Sequence, residues 1–406
     1  MRRGYVGRDS MTASEKEVRK DDETREMISS MEMEDARKRG GNLEWLAVSS
    51  VMTVSIFAGL LGYDIGVMAG ALLPMSRDLS FTSWQEEIAV GCLNFVSAAG
   101  SISGGTMYNK LGAVKCVKIA VVLYAIGMLV IAASYSFGMV FVGRLIVGLG
   151  VGLGFAICPQ YIAEISPPAW RGVLVSCFEI SINLGLCGGY LANLVVVDLS
   201  DSPRWRLLML LPLVPTSLIY ILNIPKLPES PRWLLREPRN EALARDVLVR
   251  TCGEAAAGPA LADIKEIIAQ QNAEEESQGD RGKKGWAHLF EEPVARRALL
   301  IGAGTAFFQQ ANGSEAAVYY VPQVLKAAGV ESERDQLGAA AVVGLCKTVF
   351  ITVGQFSVDR YGRRVMLLSS IAAVTASLWL LAYCLGAAQA GGSAAGLTLF
   401  ALCFFM

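Results

Sequence analysis

The chain has 406 residues, of which 53% are hydrophobic and 18% charged, and its net charge is −1. So little polar material cannot coat a water-facing surface, which excludes a soluble two-domain enzyme, and the balanced charge gives no basis for a nucleic-acid partner. The expected class is an all-α protein that crosses a lipid bilayer several times.

Residues 1–44 are polar and mixed in charge, show no cleavable signal peptide, and read as a disordered cytoplasmic tail. A membrane-crossing helix needs about 20 mostly apolar residues. Such runs occur at 45–73, 87–108, 116–134, 137–164, 171–197 and 205–225, which predicts an N-terminal six-helix bundle over 45–225. The long polar insertion 226–296 follows, with helix-compatible stretches at 240–250 and 261–271, and reads as a cytoplasmic linker. Further runs lie at 297–327, 336–357 and 365–388, and a tenth begins near Ser393 and is cut off at Met406. Residues 297–406 are therefore expected to form a C-terminal bundle of about four spans, an incomplete counterpart of the first.

Lys and Arg locate the cytoplasmic side. Lys110, Lys115 and Lys118 flank the second connection, Arg171 the fourth, and Arg360, Arg363 and Arg364 the eighth. Every even-numbered connection is basic, so the N-terminus is expected in the cytoplasm. The odd connections are less basic or mix in acids, as at Asp78, Glu86 and Glu87, and at Glu331, Glu333 and Asp335.

Inside the first span stands Asp64, in Gly62-Tyr63-Asp64-Ile65-Gly66. A carboxylate at that depth costs a few kcal/mol unless paired, solvated or protonated, and by default marks a functional site. The single histidine, His288, lies in the polar linker, so any proton carrier in the membrane must be a carboxylate. Eight of the nine cysteines sit in or beside apolar runs without CxxC spacing and read as packing residues rather than metal ligands. Glycines 143, 148, 150, 152 and 154 thin the fourth span for close helix approach; no Lys-Ser/Thr follows to make a phosphate loop. No nucleophile constellation, metal cluster or cofactor loop appears, so neither enzymatic activity, a cofactor nor a metal is expected.

The halves echo each other. Asn109-Lys110-Leu111-Gly112 follows the second span as Asp359-Arg360-Tyr361-Gly362-Arg363-Arg364 follows the eighth, the pattern of two parallel six-helix repeats with a site between them. With Pro228-Glu229-Ser230-Pro231-Arg232-Trp233-Leu234, Gly143-Arg144, Tyr161 to Pro167 and Phe308-Gln309-Gln310, these motifs resemble the sugar porter branch of the major facilitator superfamily. The resemblance covers the chain from residue 45 onward and is nearest to plant-type polyol and monosaccharide proton symporters.

That resemblance implies a major facilitator fold of two six-helix repeats, the C-terminal one truncated in the tenth span. It implies proton coupling at Asp64 with Arg144, and a substrate site that includes Gln309, Gln310 and Tyr319. Three charges depart from the hexose-type pattern there: Glu179, Glu315 and Lys347. Unpaired charges in one cavity would be costly, so Glu315 and Lys347 are expected to neutralise each other. Two roles stay open for Glu179, a polyol acceptor or a second protonatable group. At the cytoplasmic ends the resemblance implies a salt-bridge latch from Glu164, Arg171, Glu229, Arg232, Asp359, Arg360, Arg363 and Arg364. Asn109, Ala113 and Val114 stand where the motif between spans two and three is usually charged.

The expected function is proton-coupled symport of a polyol or monosaccharide, in the plasma membrane, by alternating access. The alternatives are a facilitative uniporter with a structural Asp64, a sugar sensor, and an incomplete carrier.

Overall fold

The computed structural model describes residues 44–277, 293–389 and 395–405; described side chains exclude 271–272, 274–277, 294, 314–316, 358–360, 363, 385, 387–389 and 395. His288 and the side chains of Glu315, Asp359, Arg360 and Arg363 lie outside the described set. Every regular element among the described residues is helical, and eight helices are long and apolar enough to cross a membrane.

The first half consists of α1 (Trp45–Leu79), α2 (Ser83–Leu111), α3 (Ala113–Ala132), α4 (Phe137–Ile165), α5 (Arg171–Val195) and the segment α6 (Asp201–Lys226). Helix α6 is not regular: it turns at Leu211-Pro212, where proline breaks the backbone ladder, and passes through a π turn at Ile219–Asn223. The linker supplies α7 (Glu241–Cys252) and α8 (Glu254–Ser277), which share a small apolar core around Leu248, Cys252 and Ala257. The second half has α9 (Pro293–Ala311), α10 (Ser314–Ala327), α11 (Glu333–Tyr361), α12 (Arg363–Gln389) and the short apolar α13 (Ala395–Phe405).

The structure corrects one expectation of continuity. The run 297–327 is two helices rather than one span, because Asn312-Gly313 interrupts it and Gly313 takes φ 77°, a left-handed turn that glycine adopts without a Cβ clash. Local signals set other ends. Thr82 and Gln85 form a reciprocal cap at the start of α2, with Thr82 N donating to Gln85 Oε1 at 2.9 Å. Gly112, at φ 85°, reverses the chain between α2 and α3 within a single residue.

In lipid, apolar surface gains little by leaving the solvent, so helices associate through close van der Waals packing. The tightest seam is α1 on α5. A Cβ at Gly62 would stand 1.8 Å from Ile182 O, and one at Gly185 would stand 1.8 Å from Gly59 O, so backbone meets backbone there. The glycines of α4 do the same against its neighbours: a Cβ at Gly152 would fall 2.1 Å from Ser97 O, and one at Gly150 would fall 2.8 Å from Ala120 O. Polar staples finish the first half, with Tyr124 donating to Leu60 O at 2.9 Å and Tyr63 donating to Leu208 O at 3.0 Å.

The halves meet along α5 against α11 and α1 against α10. Helices α5 and α11 run antiparallel: Ser176 Oγ donates to Gln355 Oε1 at 2.8 Å near the linker end, and Cys187 Sγ faces Ala341 O at 3.9 Å toward the far end. This register sets α11 around Lys347 opposite the stretch of α5 that carries Glu179 and Asn183.

Candidate transport site

Asp64 lies midway along α1 and Arg144 in the second turn of α4, eighty residues away in sequence. Arg144 Nη1 lies 2.9 Å from both Asp64 Oδ1 and Oδ2. The side chains are 0% and 1% exposed. Arg144 Nε donates to the Ala89 carbonyl at 2.9 Å, and its Nη2 is buried with no hydrogen-bond partner among the described residues. Two opposite charges thus neutralise each other deep in the first half, with one guanidinium donor left over. Removing one member of such a pair strands the other, at a cost of about 3–5 kcal/mol.

The pair does not stand apart from the second half. Tyr319 of α10 is buried in the same apolar core as the helices that hold the pair, and lies within electrostatic range of Arg144. Tyr319 is reached through the α9–α10 break, which also ends α9 just after the exposed Gln309 and Gln310. Lys347 is buried in α11, and Glu179 is an exposed residue of α5. The predicted substrate residues therefore lie on α5, α9, α10 and α11, of which α5, α10 and α11 take part in the seam between the halves. The expected Glu315–Lys347 pair involves a side chain outside the described residues.

Of the predicted latch residues at the linker end, Asp359, Arg360 and Arg363 have side chains outside the described residues, and the described contacts of the others are hydrogen bonds. Glu164 accepts hydrogen bonds from Tyr108 and Ser230, and from Gln160 Nε2 at 3.0 Å. Glu229 Oε1 accepts from the backbone N–H groups of Ala113 at 2.8 Å, Val114 at 3.3 Å and Ser230 at 3.1 Å. It caps α3 where the chain has just turned through Gly112, and helix N-termini favour an anion. Trp233 Nε1 donates to Asn109 O at 3.2 Å, and Arg236 Nη2 donates to Asn109 Oδ1 at 3.0 Å. Among the described residues no ion pair is formed by Arg171, Arg232 or the exposed Arg364. Asn109 thus works as a hydrogen-bonding residue in a place where a charged one was expected from the motif.

Burial pushes the Glu229 carboxyl pKa up, and the three backbone donors with nearby Lys115 pull it back in part. A raised carboxyl pKa contributes stability that is present at low pH and lost as pH rises through the folded-state value. The charge itself is therefore not what holds α3, and Glu229→Gln, which keeps the acceptor oxygen, is expected to leave thermal stability within about 0.5 kcal/mol or to raise it slightly at neutral pH. Glu229→Ala strands three N–H groups and is expected to cost about 1–3 kcal/mol. Thermal unfolding of the detergent-solubilised variants distinguishes the two.

The α1–α5 glycine seam and the Asn109 contacts with Trp233 and Arg236 were not singled out by the sequence as parts of one assembly. Only the recurrence of glycine at 59, 62 and 66 and at 185 and 189 hints at the seam.

Comparison with known proteins places this architecture. Residues 50–406 match the family model described as sugar (and other) transporter. The chain is 38% identical over 342 residues to the probable polyol transporter 4 of Arabidopsis thaliana, covering 82% of this chain and 63% of that protein. It is 32% identical over 338 residues to the proton myo-inositol cotransporter of Homo sapiens, covering 82% of this chain and 51% of that protein. The chain thus spans less than two thirds of the length of either relative. Its fold is similar to the partially occluded inward-open xylose transporter XylE from E. coli, with a TM-score of 0.73 at 23% identity over 88% of this chain and 83% of that one. The chain is a multi-pass integral membrane protein and belongs to the sugar (and other) transporter family.

Proposed function

We propose that the protein moves a polyol or monosaccharide together with a proton across a membrane, by alternating access of one site between its halves. The observation that carries this reading is the buried Asp64–Arg144 pair, with both carboxylate oxygens at 2.9 Å from one guanidinium nitrogen and a second nitrogen unpartnered. While the pair is intact, the Arg144 guanidinium is the partner of both Asp64 oxygens. When alternating access also loosens the α1–α4 contact and the guanidinium draws back, the carboxylate loses its counter-charge in a dry environment and takes up a proton. The electrostatic range between Arg144 and Tyr319, which is buried in the same apolar core, supports a link from that pair to the second half, where substrate would bind.

Glu179, Gln309, Gln310, Glu315, Tyr319 and Lys347 supply the polar groups for substrate hydroxyls. Amides and carboxylates on facing helices suit a flexible polyol, whose hydroxyls both donate and accept. The names of the relatives, a polyol transporter and a proton myo-inositol cotransporter, support the same class. Asp359, Arg360, Arg363 and Arg364 are assigned to the linker-end latch with Glu164, Arg171, Glu229 and Arg232. The plasma membrane is the proposed location, with the N-terminus in the cytoplasm by the basic even-numbered connections.

Uptake of labelled sorbitol, inositol and glucose at acidic and neutral external pH, in transport-deficient cells expressing this chain, tests the reading. Polyol uptake that rises with acidity and collapses with an uncoupler is the expected result. Uptake indifferent to pH and uncoupler would overturn proton coupling, and no uptake by surface-expressed protein would overturn carrier activity of this chain.

A further inference from the structure

At the end of the bundle opposite the linker, charged groups from the two halves meet. Arg204, at the start of α6, is 2% exposed, and its Nη1 lies 2.8 Å from Oε1 of Glu333, the first residue of α11. Arg204 Nε and Nη2 are buried with no hydrogen-bond partner among the described residues. A guanidinium so placed is tolerated because Glu333 neutralises it, and Glu333 is itself favoured at the N-terminus of α11.

A second pair crosses the same seam with the opposite polarity. Arg334 Nη1 of α11 lies 3.4 Å from Oδ2 of Asp198, in the connection before α6, and both are exposed. The first pair sets a first-half cation on a second-half anion, and the second sets a first-half anion on a second-half cation. A slip of the halves along the seam would bring like charges together, so the two pairs fix register as well as contact. The other ion pairs nearby, Arg77 with Asp201 and Arg206 with Asp78, stay within the first half. Just inside the charged pairs, Tyr190 donates to Val318 O at 2.7 Å and Cys187 faces Ala341 O.

We propose that the Arg204–Glu333 pair is the clasp that holds the far-end mouth between the halves shut, with Asp198–Arg334 as its exposed second tie. The proposal rests on the alternating-access reading, since a clasp matters only where the halves part. Opening this mouth draws α11 from the start of α6, lets water reach Arg204, and uncovers the seam down to Cys187.

The test is thiol labelling of the full chain in lipid nanodiscs with a membrane-impermeant maleimide, read by peptide mass spectrometry at each cysteine. Labelling needs neither substrate nor proton gradient, so failure of the clasp and failure of the symport reading are separable. Cys187 is 9% exposed and Cys158, inside the first half, is 0% exposed. Arg204→Met, which keeps the packing volume of the buried stem, and Glu333→Gln are each expected to raise the labelling rate at Cys187 about tenfold while Cys158 stays protected. The charge-swapped double variant, Arg204→Glu with Glu333→Arg, is expected to bring Cys187 back toward the native rate. Asp198→Asn is expected to change it less than about twofold, as befits an exposed pair. Unchanged labelling of Cys187 in both single variants would overturn the clasp. An equal rise at Cys158 would also overturn it, since the pair would then be holding the fold and not the mouth.

Discussion

Replacing the buried carboxylate, as Asp64→Asn, is expected to abolish accumulation of substrate against a gradient while sparing exchange of substrate across the membrane. The amide keeps an oxygen that can accept from Arg144 Nη1, which in the native protein donates at 2.9 Å, so the local fold has a reason to survive. It cannot take up and release a proton. Counterflow and pH-jump uptake in the same vesicles separate the two activities: accumulation falls to the equilibrium ratio of one, and counterflow persists. Accumulation at the native level would remove the coupling role and leave the pair as a strut between α1 and α4. Arg144→Met is expected to be worse for folding than Asp64→Asn. It leaves a bare carboxylate in a dry site, at a cost of about 3–5 kcal/mol, and the double variant should recover stability without recovering accumulation.

The second large effect is expected at the α1–α5 seam. A Cβ at Gly185 would sit 1.8 Å from the Gly59 carbonyl oxygen, and one at Gly189 would sit 2.5 Å from Val67 N; backbone cannot swing aside as a side chain can. Gly185→Ala must push α1 and α5 apart along their length, and overpacking of this kind costs at least about 1–3 kcal/mol. Helix α1 also carries Asp64 and α5 carries Glu179, so displacing these helices shifts both candidate site residues. Expected results are a fall in thermal stability of several degrees, loss of surface expression, or both. Gly188 is the internal control: a Cβ there meets nothing within 4 Å, and Gly188→Ala is expected to be neutral or slightly stabilising through helix propensity. Equal effects at 185 and 188 would show that glycine content rather than backbone approach sets the stability of α5.

Both predictions turn on residues of different legibility. Asp64 could be found in the sequence because a carboxylate within an apolar run violates the pattern around it, and such violations mark function. The broken seventh segment was not found, although Asn312-Gly313 is a strong turn signal. Its flanks are apolar on both sides, and hydropathy alone counts apolar residues without asking whether the backbone runs straight through them. Around Glu164 and Glu229 the sequence named the acids but not the described partners they take, which are tyrosine, serine and backbone N–H groups. A sequence motif names the residue types at a helix end and says nothing of which donors the neighbouring helix will present.

What the sequence determined by itself is the class, the apolar spans of the first half, the family and the outlying charges, because each depends on local composition or on order along the chain. What only the tertiary structure decided is pairing across distance. It brings Arg144 to Asp64 and Arg204 to Glu333, sets α11 opposite the Glu179 stretch of α5, and brings Gly185 against Gly59. Those contacts depend on the rotation and register of one helix against another. Side-chain packing at each seam fixes these, and no periodicity within a single helix records them.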